Sequence, residues 1–240
     1  MSRSDGKVSI SAVPPWRMSF KAIFFDSDGL LVDTERINLQ ATHEIFSSIG
    51  VEISWDWYIR ENLQKGRSSF ELAREKGISE TEIEKLWWLR EKRIEELLKE
   101  NVPVIDGVYE VLEKIQGKFV LGVVTSRRKE PFETILNKTD LRRFFQFFIT
   151  RDDVENIKPH PDPYLKAVEF SGERKEDCVA LEDSQRGVQS AKDAGITCFA
   201  IPSELTREHY FSTADKVLNS IRELPEHLMS PGSIHASVMD

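Results

Sequence analysis

An apolar run, Ala22-Ile23-Phe24-Phe25, ends abruptly in Asp26-Ser27-Asp28-Gly29, and Asp33 and Glu35 follow shortly after. Carboxylates at the end of a buried strand are costly to desolvate unless a cation or hydrogen-bond donors meet them. Three readings compete for the pair. Aspartate and glycine are common turn formers. A calcium loop of the EF-hand type needs an oxygen ligand at its fifth position, glycine at its sixth and glutamate at its twelfth. Counted from Asp26 the chain has Leu30, Leu31 and Ile37 there, so that reading fails. The third is a catalytic pair, in which one carboxylate attacks a reacting centre and the other handles protons while a hard cation screens both.

Taken alone, the four residues favour the turn. A second acidic cluster changes the balance: Glu182-Asp183-Ser184 closes another apolar run just before a helical pattern. Acids are welcome at a helix N-terminus for dipole and capping reasons. Acids gathered at one edge nevertheless repel one another unless a cation is present. Oxygen donors without a neighbouring Cys/His cluster suit Mg²⁺ rather than zinc. His43, His160, His209, His227 and His235 have no partners at metal-ligand spacing, and the chain has no Walker A, GxGxxG, GxSxG or HExxH pattern.

The elements that must position these acids are legible as apolar runs: 21–25, 119–124, 147–150, 178–181 and 197–201. Runs apolar on both faces suit a parallel sheet covered by helices. Helical spacing recurs between them, at Val108, Val111, Leu112 and Ile115, at Tyr164, Ala167 and Val168, and over 187–195, where Gly195 marks a C-terminal stop. The alternation predicts a doubly wound α/β fold, a Rossmann-like parallel sheet. It is broken once. Between Glu35 and Pro103 the signals are helical, including a stretch 80–101 with Ile83, Leu86, Trp87, Ile94, Leu97 and Leu98 near one face and a capping box from Ser79. The predicted organisation is an N-terminal extension over 1–18, an α/β core from 19–35 and 104–228, an inserted helical domain over 36–103, and a loose tail over 229–240. In open parallel sheets ligands bind beyond the carboxyl ends of the strands. Asp26, Thr125-Ser126-Arg127 and Glu182-Asp183 all stand at such ends, so they should converge on one crevice.

The 240 residues allow one large domain or a core with an insertion, and the net charge of −8 disfavours nucleic acid and anionic membranes as partners. An anionic substrate would need a local cation. No apolar stretch approaches membrane-spanning length. Cys178 and Cys198 lie in strand-like runs and read as reduced core thiols, from which a cytoplasmic setting is expected. A monomer is the expected state.

The stretch from about 19 to 228 resembles the haloacid dehalogenase-like hydrolases, on four motifs in order: Phe25–Glu35 (FDSDGLLVDTE), Thr125 ending LGVVT, Lys158 in KPHPDPY, and LEDSQRG from Leu181. The helical insertion after the first motif is similar to the family's helical cap, in the branch of β-phosphoglucomutase, pseudouridine 5′-phosphatase and sugar-phosphate phosphatases. The resemblance implies a phosphoric monoester hydrolase with Asp26 as nucleophile, forming an aspartyl-phosphate, and Asp28 as the acid and base. It further implies Mg²⁺ held by Asp26, the Asp28 carbonyl and Asp183, with Glu182 steering metal-bound water. Thr125 and the Ser126 N–H would bind phosphoryl oxygens, and Lys158 would offset negative charge. Asp28 separates this chain from the family's dehalogenases and transport ATPases. A phosphomutase is the alternative, but Asn38 stands where the mutase has a histidine, and an amide shuttles no proton at neutral pH. A non-catalytic phospho-ligand module is the reading from another class. Lys65 and Arg67, in the KGRSS loop, are candidate substrate contacts from the cap. Trp55, Trp57, Trp87 and Trp88 read as cap packing, with a stacking platform as the sharper alternative.

Overall fold

The computed structural model describes residues 20–228. The expected extension over 1–18, residue 19 and the expected tail over 229–240 lie outside them. Six strands form one parallel sheet in the order β3-β2-β1-β4-β5-β6. They are β1 Ala22–Phe25, β2 Val120–Val124, β3 Phe147–Ile149, β4 Cys178–Glu182, β5 Thr197–Ala200 and β6 Lys216–Val217. The reason the first five read as unbroken apolar runs is visible in β1: Ile23 and Phe25 join one buried cluster, Ala22 and Phe24 the other. Successive side chains point to opposite faces, and both faces are covered. In β4, Val179 and Leu181 belong to the first cluster, Cys178 and Ala180 to the second. Gly122 in β2 lies under the Phe147 ring, where a Cβ would sit 2.9 Å from Phe147 Cε1. The sixth strand is two exposed residues without an apolar run, which is why hydrophobic pattern alone misses it. Both cysteines are buried free thiols.

Nine α-helices occur among the described residues: α1 Glu35–Ser47, α2 Trp55–Trp57, α3 Ser69–Glu75, α4 Glu80–Glu100, α5 Val108–Ile115, α6 Lys129–Lys138, α7 Asp162–Ser171, α8 Gln185–Asp193 and α9 Leu224–Leu228. A π-helix, Tyr58–Gln64, continues α2. In α4 the Ser79 hydroxyl accepts from Glu82 N–H at 3.3 Å and bonds the Glu82 carboxylate at 2.9 Å. Gly195 takes φ +76° just past α8, the left-handed conformation that closes a helix.

The helices between β1 and β2 have a small core of their own, built on Leu39, Phe46, Val51, Ile53, Tyr58, Ala73 and Ile83. The other half of α4, at Ile94, Leu97 and Leu98, packs into the main core beside the sheet. The chain leaves and re-enters the sheet through two segments stitched together: Asp33 N–H donates to Pro103 O and Ile105 N–H to Leu31 O, each at 2.9 Å. No helix among the described residues is long and apolar enough to cross a membrane.

Candidate active site

The carboxyl ends of β1, β2 and β4 bring the polar clusters to one place. The Asp26 N–H prolongs the ladder by bonding Leu181 O at 3.0 Å, after which the chain turns tightly, with Leu31 and Val32 N–H both returning to Ser27 O. Gly29 has φ +83°, and a Cβ there would fall 2.7 Å from Asp183 Cγ. Glycine is therefore required twice over, by the turn and by the approach of the Asp183 carboxylate.

Lys158 follows β3 and is 5% exposed. Its Nζ donates to Asp26 Oδ1 at 2.5 Å, to Glu182 Oε1 at 2.6 Å and to Val124 O at 2.7 Å, which uses all three ammonium protons. The Tyr164 hydroxyl, from α7, donates to the same Glu182 oxygen at 2.5 Å. Gly187, in α8, has no side chain because Glu182 fills its Cβ position. The α8 N-terminus is capped by Ser184, whose Oγ accepts from Gly187 N–H at 3.2 Å.

Asp26, Glu182 and Asp183 each offer a carboxylate oxygen within 4.8 Å of the others, all buried. Burial first, then Glu182 and Asp28, push Asp26 up to about 8, against the pull of Lys158. Asp183 rises well above the ordinary carboxylate range through burial and the charges of Asp26, Glu182 and Glu35. Both are raised because one ammonium, on Lys158, cannot offset the neighbouring carboxylate charges. A hard cation among oxygen donors is what would relieve them, so the residues present fit a divalent ion such as Mg²⁺.

Asp28 is in a different state. Arg127 Nε reaches both its oxygens, at 3.1 and 3.3 Å, Arg127 Nη2 adds a further bond, and the Thr34 hydroxyl donates to Oδ1. Burial would raise its pKa, but the charge and bonds of Arg127, with Thr34 and Thr125, outweigh that and hold it below the usual value. The same guanidinium touches Asn38 Oδ1 at 3.4 Å.

These groups open into a cavity of about 540 Å³ beneath the α1–α4 helices. Asp26, Asp28, Asn38, Ser126, Lys158 and Asp183 line it. Four of the expected residues, Thr125, Glu182, Lys65 and Arg67, lie off the cavity wall. Thr125 is 2% exposed and faces inward. Its hydroxyl accepts from Arg127 N–H at 3.1 Å and lies 3.4 Å from Asp28, so it braces that carboxylate, and Ser126 reaches the cavity instead. Glu182 is fully buried behind Lys158 and off the cavity wall, because Lys158 and Tyr164 hold its carboxylate. Lys65 and Arg67 lie off the wall too. Lys65 pairs with Glu61 at 2.7 Å, and Arg67 pairs with Glu75 and stacks 5.8 Å from the Trp57 ring. Gly66, between them, does line the cavity.

Sequence reasoning places Arg127 in a strand-end cluster without a role of its own and does not single out Tyr164 or Glu35 as site residues. Arg127 directly follows the Thr125-Ser126 pair and is signalled by that position. Tyr164 reads as a core residue, and only its hydroxyl on Glu182 gives it a polar task. Glu35 lines the cavity, accepts from the Tyr58 hydroxyl at 3.0 Å, and is raised by burial and by the Asp28 charge. Of the four insertion tryptophans, Trp87 alone faces the cavity, with the Arg128 guanidinium 5.0 Å from its ring.

A family model for haloacid dehalogenase-like hydrolases matches residues 23–201. CbbY from Rhodobacter capsulatus is 30% identical over 209 residues, covering 82% of this chain and 92% of that protein. Hexitol phosphatase B from Escherichia coli (strain K12) is 30% identical over 221 residues, covering 85% and 93%. Among solved structures, a mutant CbbY from Rhodobacter sphaeroides in complex with xylulose-(1,5)bisphosphate aligns with TM-score 0.73 and 27% identity, over 85% of this chain and 96% of that one. The chain belongs to the haloacid dehalogenase-like hydrolase family, in the branch with a helical cap. It is an enzyme, a hydrolase of the phosphatase class.

Proposed function

We propose that the protein hydrolyses phosphate monoesters of sugars or similar small metabolites through an aspartyl-phosphate on Asp26, with Mg²⁺ as cofactor and the helical segment 36–103 as the cap over the substrate. The observation that carries this reading is the meeting of Asp26, Asp183 and Lys158 on the wall of one cavity at the sheet edge. The relatives supply the substrate class, since one is a hexitol phosphatase and another binds xylulose-(1,5)bisphosphate.

In this mechanism the Asp26 carboxylate attacks phosphorus, and the ester oxygen departs with a proton from Asp28. Asp28 then takes a proton from water, which cleaves the acyl phosphate and restores Asp26. Phosphoryl transfer asks a protein mainly for positioning and charge stabilisation. Lys158 holds Asp26 in place and balances charge on the transferring group. Ser126 presents its N–H to phosphoryl oxygens. When bound, Mg²⁺ would be held by Asp26, Asp183 and the Asp28 carbonyl and would screen the charge of the phosphoryl group. Asp28 paired with Arg127 is an anion, the form that accepts a proton from water. To act as the acid it must first take up a proton and relinquish part of that pairing. Asn38 at the cavity wall has no titratable group, which favours transfer to water over the mutase reaction.

The test is phosphate release across a panel of sugar phosphates and other small esters, with Mg²⁺ and with EDTA, for the parent and Asp26→Asn. Mg²⁺-dependent release that disappears in a folded Asp26→Asn protein is expected. Undiminished turnover by that variant refutes the mechanism, and no release from any ester refutes the activity.

A further inference from the structure

One face of α4 has nothing packed on it. Ile83, Leu86 and Ile94 are buried, and Trp87 lines the cavity. Trp88 and Leu89 point to water, 62% and 51% exposed. They are the only large apolar side chains so exposed at adjacent positions among the described residues. The one aromatic partner of Trp88 is Trp87, edge to face with ring centroids 4.9 Å apart. Scattered apolar side chains on a surface are ordinary, but tryptophan is enriched among the residues that dominate protein interfaces.

The charges around Trp88 follow a pattern. Glu84 stands one helical turn before it and Lys92 one turn after; Lys85 is three residues before and Glu91 three after. Glu84, Lys85 and Lys92 are exposed and have no ion-pair partner among the described residues, whereas Glu91 bonds the adjacent Arg90 at 2.7 Å. Farther along α4 the charges pair within the chain: Glu80 with Arg74, Glu96 with Arg93 and Lys99 with Glu95. The segment 84–92, Glu-Lys-Leu-Trp-Trp-Leu-Arg-Glu-Lys, thus has opposite signs at equal distances on the two sides of Trp88. Such a segment complements itself when reversed. Two copies laid antiparallel about a two-fold axis at Trp88 set Glu84 of each against Lys92 of the other, and Lys85 against Glu91. A parallel pairing would set every charge against its like. Glu80 and Glu96, the like-charged positions eight residues out, are each neutralised at home.

We propose that the protein forms a symmetric dimer through α4, with Trp88 at the two-fold axis and the Glu84–Lys92 pairs fixing the antiparallel register. The contact is isologous, as a closed two-fold interface requires. Burial of the two indoles and two leucines supplies the affinity, while the exposed ion pairs add little of it and set the orientation. The patch is small beside the roughly 800 Å² per partner of a standard interface, so the dimer is reversible and depends on concentration. The second copy stands one ring away from the cavity, because Trp87 lies between Trp88 and the space beside Arg128. The proposal does not depend on the phosphatase reading.

The test is sedimentation equilibrium of the full chain over a hundredfold range of concentration. The parent should follow a monomer–dimer equilibrium. Trp88→Ser should weaken it at least tenfold, and Glu84→Lys or Lys92→Glu several-fold each. Mixing those two charge variants in equal amounts should restore association, since every Glu84–Lys92 crossing then joins opposite signs again; the double variant should also regain it. Trp55→Ser, at another exposed tryptophan of the insertion, should leave the equilibrium unchanged. Circular dichroism checks that each variant folds, and if Trp88→Ser does not, the mixing experiment decides alone. A parent that stays monomeric throughout overturns the proposal. So does a dimer that ignores Trp88→Ser, or a mixture that associates no better than its two components.

Discussion

Replacing Gly187 by alanine should reverse the usual sign of a glycine-to-alanine change in a helix. Gly187 lies in the first turn of α8 with an ordinary negative φ, a setting in which alanine normally stabilises by about 0.5–1 kcal/mol. Here the new methyl would occupy the space of the Glu182 carboxylate. Carbon atoms approach no closer than about 3.5 Å without cost, so the carboxylate must withdraw by more than about 1 Å. It is held by Lys158 at 2.6 Å and Tyr164 at 2.5 Å. Each hydrogen bond to a charged group is worth about 1.5–3 kcal/mol, so losing both costs about 3–6 kcal/mol, against which the helix gain is small. The net loss expected for Gly187→Ala is about 2–5 kcal/mol, read from urea unfolding monitored by tryptophan fluorescence at constant m. Turnover should fall as well, because Lys158 loses one of its three anchors. A double variant with Glu182→Ala should show strong favourable coupling, since the clash is then gone. A Gly187→Ala protein as stable as the parent would refute the account of Glu182 as the fixed base under Lys158.

Gly29→Ala should raise the Mg²⁺ concentration for half-maximal activity at least tenfold. Its Cβ would displace Asp183, while the fold, followed by circular dichroism, persists. An unchanged Mg²⁺ titration would show that Asp183 is not a ligand. Arg127→Gln should move the acid limb of the kcat/KM profile to higher pH, because Arg127 is the main force depressing Asp28 and burial then dominates; an unmoved limb would detach Arg127 from the proton-transfer group. Metal-free protein should lose stability as pH rises. Asp26 goes from 3.8 to about 8 on folding and Asp183 is raised too. Their contribution is therefore full below about pH 4 and lost as pH climbs toward the folded values. Thermal melting in EDTA should fall between pH 5 and 8, and Mg²⁺ should raise it more at pH 8 than at pH 5. A flat or rising melting temperature in EDTA would contradict those shifts.

The sheet was legible because β1, β2, β4 and β5 are buried on both faces and so must be apolar throughout. Two-residue β6 leaves no such trace, since exposed Lys216 and Val217 pair through backbone alone. The acids and Lys158 were legible because their types are rare at strand ends. Their division of labour was not. Glu182 and Asp183 are neighbours in sequence, yet strand alternation turns Glu182 behind Lys158 and leaves Asp183 on the cavity wall. Thr125 and Ser126 divide inside from outside in the same way. Lys65 and Arg67 looked like free cations, but Glu61 is one helical turn before Lys65, a spacing that forms local ion pairs. Arg127 on Asp28 joins side chains 99 residues apart in sequence, and residue type alone does not announce such a contact.

The 21-residue helix α4 is planted at both ends, Ile83 in the insertion's small core and Ile94 to Leu98 beside the sheet. At 1.5 Å per residue it is a strut about 30 Å long. A swing of the upper helices therefore pries at the foundations of the sheet unless the strut flexes along its shaft. A proline placed midway along it should therefore turn a firm roof over the cavity into a loose flap.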